Sequence, residues 1–143
     1  MIYLVSCVKG KLTGPATARE LYQSIWFRAA RAFVEKRNAQ WFILSALHGL
    51  VSPEQIVKPY ETTLNNFTAD ERRFWAKLVA AQMSKQLTVG PVAFLAGKNY
   101  REFLIPLIEA KGFTWEAPLA RLGIGSQVSW LQKNARSEQT LQV

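Results

Sequence analysis

The sequence predicts a single α/β domain, a three-layer open sheet of about four mostly parallel strands with helices on both faces. Three observations predict it. The chain has 143 residues, 49% of them hydrophobic, with five Trp and eight Phe. That is one domain's length, with enough apolar mass for a core that needs no covalent staples. Four short apolar runs recur along the chain, continuous rather than alternating, as in parallel strands covered on both faces. Helical stretches follow each run, and this alternation of strand and helix builds right-handed crossovers.

The elements follow in order. Ile2–Val5 is the first strand. Thr17 with Glu20 forms a capping box, in which the Thr hydroxyl accepts a free backbone N–H and Glu reaches back. Leu21, Ile25, Phe33 and Val34 then make one apolar face, with a break near Ser24. Trp41–Ser45 is the second strand. Thr68 with Glu71 is a second capping box, ahead of Phe74, Leu78, Trp75 and Val79 at helical spacing. Val92–Ala96 is the third strand. Asn99 with Glu102 is a third cap, before Phe103, Leu104, Leu107 and Ile108. Pro106 shortens or kinks that helix, and Gly112 ends it. Thr114–Glu116 is the weakest strand, and Ser126 caps a last helix through Val128, Trp130 and Leu131. Trp75, Trp115 and Trp130 belong to the core. Residues 1–133 form the domain, and 134–143 form a polar tail.

Composition narrows the function. Cys7 and His48 are the single cysteine and histidine. No internal disulfide can form, and no zinc site built mainly from Cys and His. No run approaches the roughly 20 apolar residues that span a bilayer. The opening MIYLV is short and nothing basic precedes it, so no signal peptide is expected. The expectation is a cytoplasmic protein with no membrane partner and no metal. The net charge of +8 favours anionic partners, DNA or a nucleotide.

In open parallel sheets, ligands bind beyond the carboxyl ends of the strands, where the strand order switches. Four loops lie there. The first, SCVKGKLTGP, carries Ser6, Cys7, Lys9 and Lys11 with two glycines, an anion cradle without the P-loop pattern. Cys7 lacks the following arginine that a phosphatase-type thiol needs, and reads as a small packed residue. The second loop, about 22 residues from Ala46 to Phe67, is longer than packing needs. It holds His48 as a proton donor or phosphate ligand, Tyr60 as a surface for a stacked base or merely a loop anchor, and Glu61 as the best-placed carboxylate, for chemistry or for a solvated or capping role. Glu54 is weaker. Asn65 and Asn66 can read a base edge or simply turn the chain. The third, AGKNYRE, sets Lys98, Tyr100 and Arg101 at a helix entry that suits a phosphate. The fourth, APLARLGIGSQ, contributes Gln127. Its Gly123 and Gly125 are only a weak dinucleotide hint.

The segments SCVKGK, ARELY, WFILSALHGLV, KPYETTL, AGKNYREFL and PLARLGIG resemble a bacterial and phage family of unknown function, whose members are often labelled peroxide-stress YaaA-like proteins. The resemblance runs from about Tyr3 to Trp130. It rests on Ser6, Cys7, Lys9, Lys11, Ser45, Ala46, His48, Gly49, Leu50, Pro59, Tyr60 and Glu61. Leu47 stands where many relatives carry Lys, so one expected charge beside His48 is missing. The resemblance implies DNA binding in oxidative stress. A second resemblance is architectural only: the expected sheet is similar to that of the uracil-DNA glycosylase superfamily, whose characteristic motifs this chain lacks.

Two classes of function fit. The first is an enzyme that cleaves the N-glycosidic bond of a modified or damaged base in DNA. Glu61 activates water or steadies charge on the sugar, His48 or a lysine serves the leaving base, and Tyr60 stacks it. Lys9, Lys11 and Lys98 hold phosphates. Ser6, Cys7, Ser45, Asn65, Tyr100, Arg101 and Gln127 complete the expected binding set, and no cofactor is required. A nucleoside or nucleotide transferase or hydrolase is a variant with the same site. The second class is a binding module without chemistry, a DNA-associated stress protein or nucleotide sensor.

Overall fold

The computed structural model describes residues 1–6 and 13–141, with side chains described as far as Ala135. The first-loop residues Cys7, Lys9 and Lys11 lie outside the described residues. In chain order the elements are β1 (Ile2–Ser6), β2 (Ala16–Thr17), α1 (Ala18–Leu21), α2 (Ile25–Lys36), β3 (Gln40–Ser45), β4 (Gly49–Val51) and β5 (Ile56–Val57). A 3-10 turn at Leu64–Asn66 leads into α3 (Ala69–Gln86), β6 (Pro91–Leu95), α4 (Lys98–Arg101), α5 (Leu104–Ala110), β7 (Thr114–Glu116) and α6 (Ile124–Leu141).

The main sheet has the order β4-β3-β1-β6-β7. Strands β3, β1, β6 and β7 are parallel, and β4 folds back antiparallel on β3, pairing Leu44 with Leu50. The expected α/β sheet of four parallel strands is therefore present, and a fifth strand extends it. The chain steps one way from β1 to β3 and the other way from β3 to β6 and β7. The helix of the first step, α2, packs with α6 against one face, on Val5, Ile43 and Leu95. The helices of the later steps, α3 to α5, cover the other face, on Leu4, Phe42 and Phe94. Reversing both direction and face keeps one hand for every crossover.

Local chemistry explains the boundaries. The chain breaks after Leu21, and Ser24 caps α2 by accepting from Phe27 N at 3.0 Å. Thr17 makes no side-chain cap, which corrects the expected first capping box. Its backbone pairs with Ile56 instead, in a two-stranded sheet of β2 and β5. Helix α2 ends at Lys36, and Asn38, two residues on, turns the chain with a φ of 53°, which its side chain tolerates. The capping box of Thr68 and Glu71 is formed in both directions, at 3.1 and 2.8 Å. Asn99 is not a cap: α4 begins at Lys98 behind Gly97, and Asn99 lies within it. Pro106 falls in the first turn of α5, where its missing N–H costs little. That divides the expected single helix in two. Gly112, with φ of 98°, turns the chain into β7. Ser126 is likewise no cap, since α6 has already begun at Ile124. The last helix runs on to Leu141, across the segment expected as a polar tail.

Trp75 is buried, and Trp130 packs half-buried against the core. Trp115, expected inside, is 39% exposed on the edge strand. On α3, Trp75 and Val79 face the sheet while Phe74 and Leu78 point away from it. The segment between β3 and α3 is more organised than a long loop. It contains β4, β5 and the 3-10 turn, and it is tied to α1 by Ala18 N to Gln55 O (2.7 Å) and Arg19 N to Pro53 O (3.0 Å). Arg19 bridges Glu35 and Glu54, and Arg31 bridges Glu20 and Glu35, so Glu54 serves structure. From α3, the Gln82 amide accepts from Leu50 N at 2.7 Å and donates to His48 O at 3.2 Å, against the outer side of β4.

Candidate functional site

Strands β1 and β6 are neighbours whose chains leave toward opposite faces, so a crevice must open beyond their carboxyl ends. The structure has a cleft of about 690 Å³ there. Ser6 forms its floor at the end of β1, and Gly97, Lys98 and Tyr100 form one wall after β6. Thr63, Asn65 and Asn66 come from the turn before α3, and Ser24, Trp26, Ile124 and Gln127 come from the facing ends of α2 and α6.

The walls are held by specific bonds. Asn99 Nδ2 donates to Asn65 Oδ1 at 2.8 Å. Among the described residues, this leaves the Asn65 NH2 and the Asn99 carbonyl as an adjacent donor and acceptor at the cleft. Such a pair can read a base edge or any amide-like group. Gln127 takes a positioning role. Its Oε1 accepts from Trp26 Nε1 at 2.8 Å, and its Nε2 donates to Leu122 O at 2.8 Å. The indole is thereby fixed as a wall, since a buried N–H left unpaired is costly. Tyr100 packs edge-on against Trp75, with ring centroids 5.6 Å apart, and is buried rather than open for stacking. Lys98 is exposed at the cleft. With α4 only four residues long, its ammonium rather than a helix dipole supplies the positive charge.

A second polar group lies one strand away. Ser45 ends β3 fully buried, and its Oγ accepts from His48 N at 3.1 Å and bonds the Tyr60 hydroxyl at 2.7 Å. The Tyr60 hydroxyl also bonds the buried Tyr22 hydroxyl at 2.5 Å. Trp75 Nε1 donates to Ser45 O at 2.9 Å. The His48 ring stands edge-on to Tyr60 with centroids 5.5 Å apart, and is exposed. Tyr60 is thus anchored at its hydroxyl end, as the loop-anchor alternative has it. Its role is to pin the segment that reaches the cleft at Thr63, three residues on.

The expected site residues therefore divide. Ser6, Asn65, Lys98, Tyr100 and Gln127 meet at the cleft. Ser45, His48 and Tyr60 meet in the second group. Glu61 is exposed, two residues ahead of Thr63, and does not line the cleft. Arg101 turns back, its Nε donating to Ala96 O at 3.0 Å, and closes the end of β6. Trp26, Ser24 and Ile124 join the site although no loop motif marked them. Ser24 carried the one available signal, a polar residue interrupting an apolar face beside a Trp. Among the described residues no group of three or more His, Cys, Asp or Glu could hold a metal, and no helix is long and apolar enough to cross a membrane. What the cleft offers is amides, hydroxyls, a lysine and ring walls, a set suited to a neutral polar ring carrying an anionic group.

Residues 2–133 match DUF6884, a family of unknown function, and the chain belongs to that family. It is also similar to the uncharacterized protein YfjM of Bacillus subtilis (strain 168). The two are 28% identical over 154 residues, which covers 96% of this chain and 97% of the relative.

Proposed function

We propose that this member of the DUF6884 family takes a nucleotide unit, foremost one in DNA, into the switch-point cleft and hydrolyses the bond between base and sugar. The observation that carries the reading is the cleft itself. The amide pair of Asn65 and Asn99 suits a base edge, Trp26 and Tyr100 wall it, and Lys98 suits the adjoining phosphate. The net charge of +8 suits a polyanion. In the reaction, water forms a bond to C1′ of the sugar as the C1′–N bond breaks. Glu61 takes the water's proton, and His48 delivers one to the departing base.

The position of Glu61 and His48 outside the cleft walls favours a second reading, recognition without cleavage. The resemblance to YaaA-like DNA-associated stress proteins belongs to that reading, and the architectural likeness to uracil-DNA glycosylases belongs to the first. One experiment separates them. The purified protein is incubated with DNAs carrying normal, damaged and hypermodified bases, and released base is measured by mass spectrometry. Release that Glu61→Gln abolishes while binding persists supports hydrolysis. Salt-sensitive binding that Lys98→Ala weakens, with no release from any DNA, supports recognition alone. No binding at all overturns both.

A further inference from the structure

Helix α3 presents an outer face unlike that of a solvated helix. Phe74 is 75% exposed and Leu78 is 42% exposed. Beside them, Leu47 at the tip of the β3–β4 turn, half-buried Phe67 and the same two side chains border a groove of about 430 Å³. A contiguous apolar patch with charged residues at its rim is the mark of an interaction surface.

The sequence of that face identifies its occupant. Glu71, Phe74, Leu78, Ala81 and Lys85 recur at alternating intervals of three and four residues and are all exposed, a seam along which helices pair. It reads acidic, aromatic, branched, small, basic, and it spans about 21 Å of helix. Reversed against itself, the same order is complementary. Glu71 of one copy meets Lys85 of the other at each end, Phe74 meets the small Ala81, and Leu78 meets its own counterpart at the centre. A parallel pairing sets Glu71 on Glu71 and Phe74 on Phe74, and gains neither match. Lys77 flanks the centre on a flexible stem that lets the two ammonium groups part.

We propose that α3 forms the interface of a two-fold homodimer, packed antiparallel on α3 of a second copy about an axis at Leu78. Such a contact is self-closing and stops at two copies. In a chain of net charge +8, the two Glu71–Lys85 pairs supply local attraction where the copies as a whole repel.

The test is sedimentation equilibrium of the full chain from about 1 µM to about 1 mM, with circular dichroism to confirm that each variant keeps its helix content. The wild type is expected to show a reversible monomer–dimer equilibrium. Phe74→Glu, and independently Phe74→Gln, weaken it by at least about tenfold. Lys85→Glu weakens it roughly threefold to tenfold, and adding Glu71→Gln, which keeps the capping box, recovers part of the loss. A wild type that stays monomeric over the whole range overturns the proposal and leaves the face to a different protein. A dimer indifferent to both Phe74 variants also overturns it, as does a Lys85→Glu loss that Glu71→Gln does not recover in part.

Discussion

Replacing Tyr60 with Phe removes one oxygen and tests whether the hydroxyl chain through Ser45 is what pins the site segment to the sheet. The Tyr60 hydroxyl bonds Ser45 Oγ at 2.7 Å and Tyr22 OH at 2.5 Å, and both partners are buried. Ser45 keeps its bond from His48 N, so its oxygen is not stranded, whereas Tyr22 loses this partner in the core. Two hydrogen bonds worth about 1 kcal/mol each are lost, so Tyr60→Phe should destabilise by about 2 kcal/mol. A domain of this size unfolds with an entropy of about 0.3 kcal/mol/K, which makes that a fall in Tm of about 7 °C. Ser45→Ala should cost about 2 kcal/mol by releasing His48 N and the same tyrosine. Because the two variants delete one shared bond, the double variant should cost about 1 kcal/mol less than their sum. Calorimetry of the four proteins completes the cycle. A fall in Tm under about 2 °C for Tyr60→Phe, or strict additivity, refutes the idea that this chain of hydroxyls carries the anchoring.

Three further predictions concern the scaffold. Gly49→Ala should cost about 2–4 kcal/mol in urea unfolding, because φ is 74° and the new methyl would collide with the Gln82 amide. Thr68→Ala should lower stability by about 1 kcal/mol by deleting one half of the capping box on α3. Glu20 is held below its ordinary pKa of 4.5 by a hydrogen bond from Arg31 and by that residue's charge. A carboxylate depressed in the folded state adds stability above its unfolded pKa and loses it as pH falls through the folded one. The small advantage of wild type over Glu20→Gln should therefore be full near neutrality and be lost as pH falls below the ordinary carboxylate range, as acid melts will show.

The parallel strands were legible because β1, β3 and β6 are buried on both faces, and that burial leaves an unbroken apolar run. The cleft was legible in part, because the carboxyl ends of such strands are where loops must carry ligands. Other features depended on partners distant in sequence. Thr17 carries the signal of a cap, but its backbone finds Ile56, and pairing overrides capping. Asn99 carries the same signal, but its amide finds Asn65. On α3 both Phe74 and Trp75 begin apolar stripes at helical spacing, and only the sheet's position decides which turns inward. Trp26 carries no motif of its own in the sequence. It becomes a cleft wall because Gln127, about a hundred residues on, accepts its indole proton. Leu50 is apolar on an antiparallel return of three residues, too short to announce itself by periodicity.

Gln82 gives the sheet its boundary. Its amide presents a carbonyl and an N–H to the outer side of β4 in the spacing of a peptide group, accepting from Leu50 N and donating to His48 O. A side chain thus imitates one unit of a sixth strand. Two of the backbone positions where an extended segment from another molecule would zip on are taken, and the turn that holds His48 is braced by the same plug. Strand addition and edge-to-edge aggregation, the usual hazard of an open sheet, are blocked on this side without a proline or a charge.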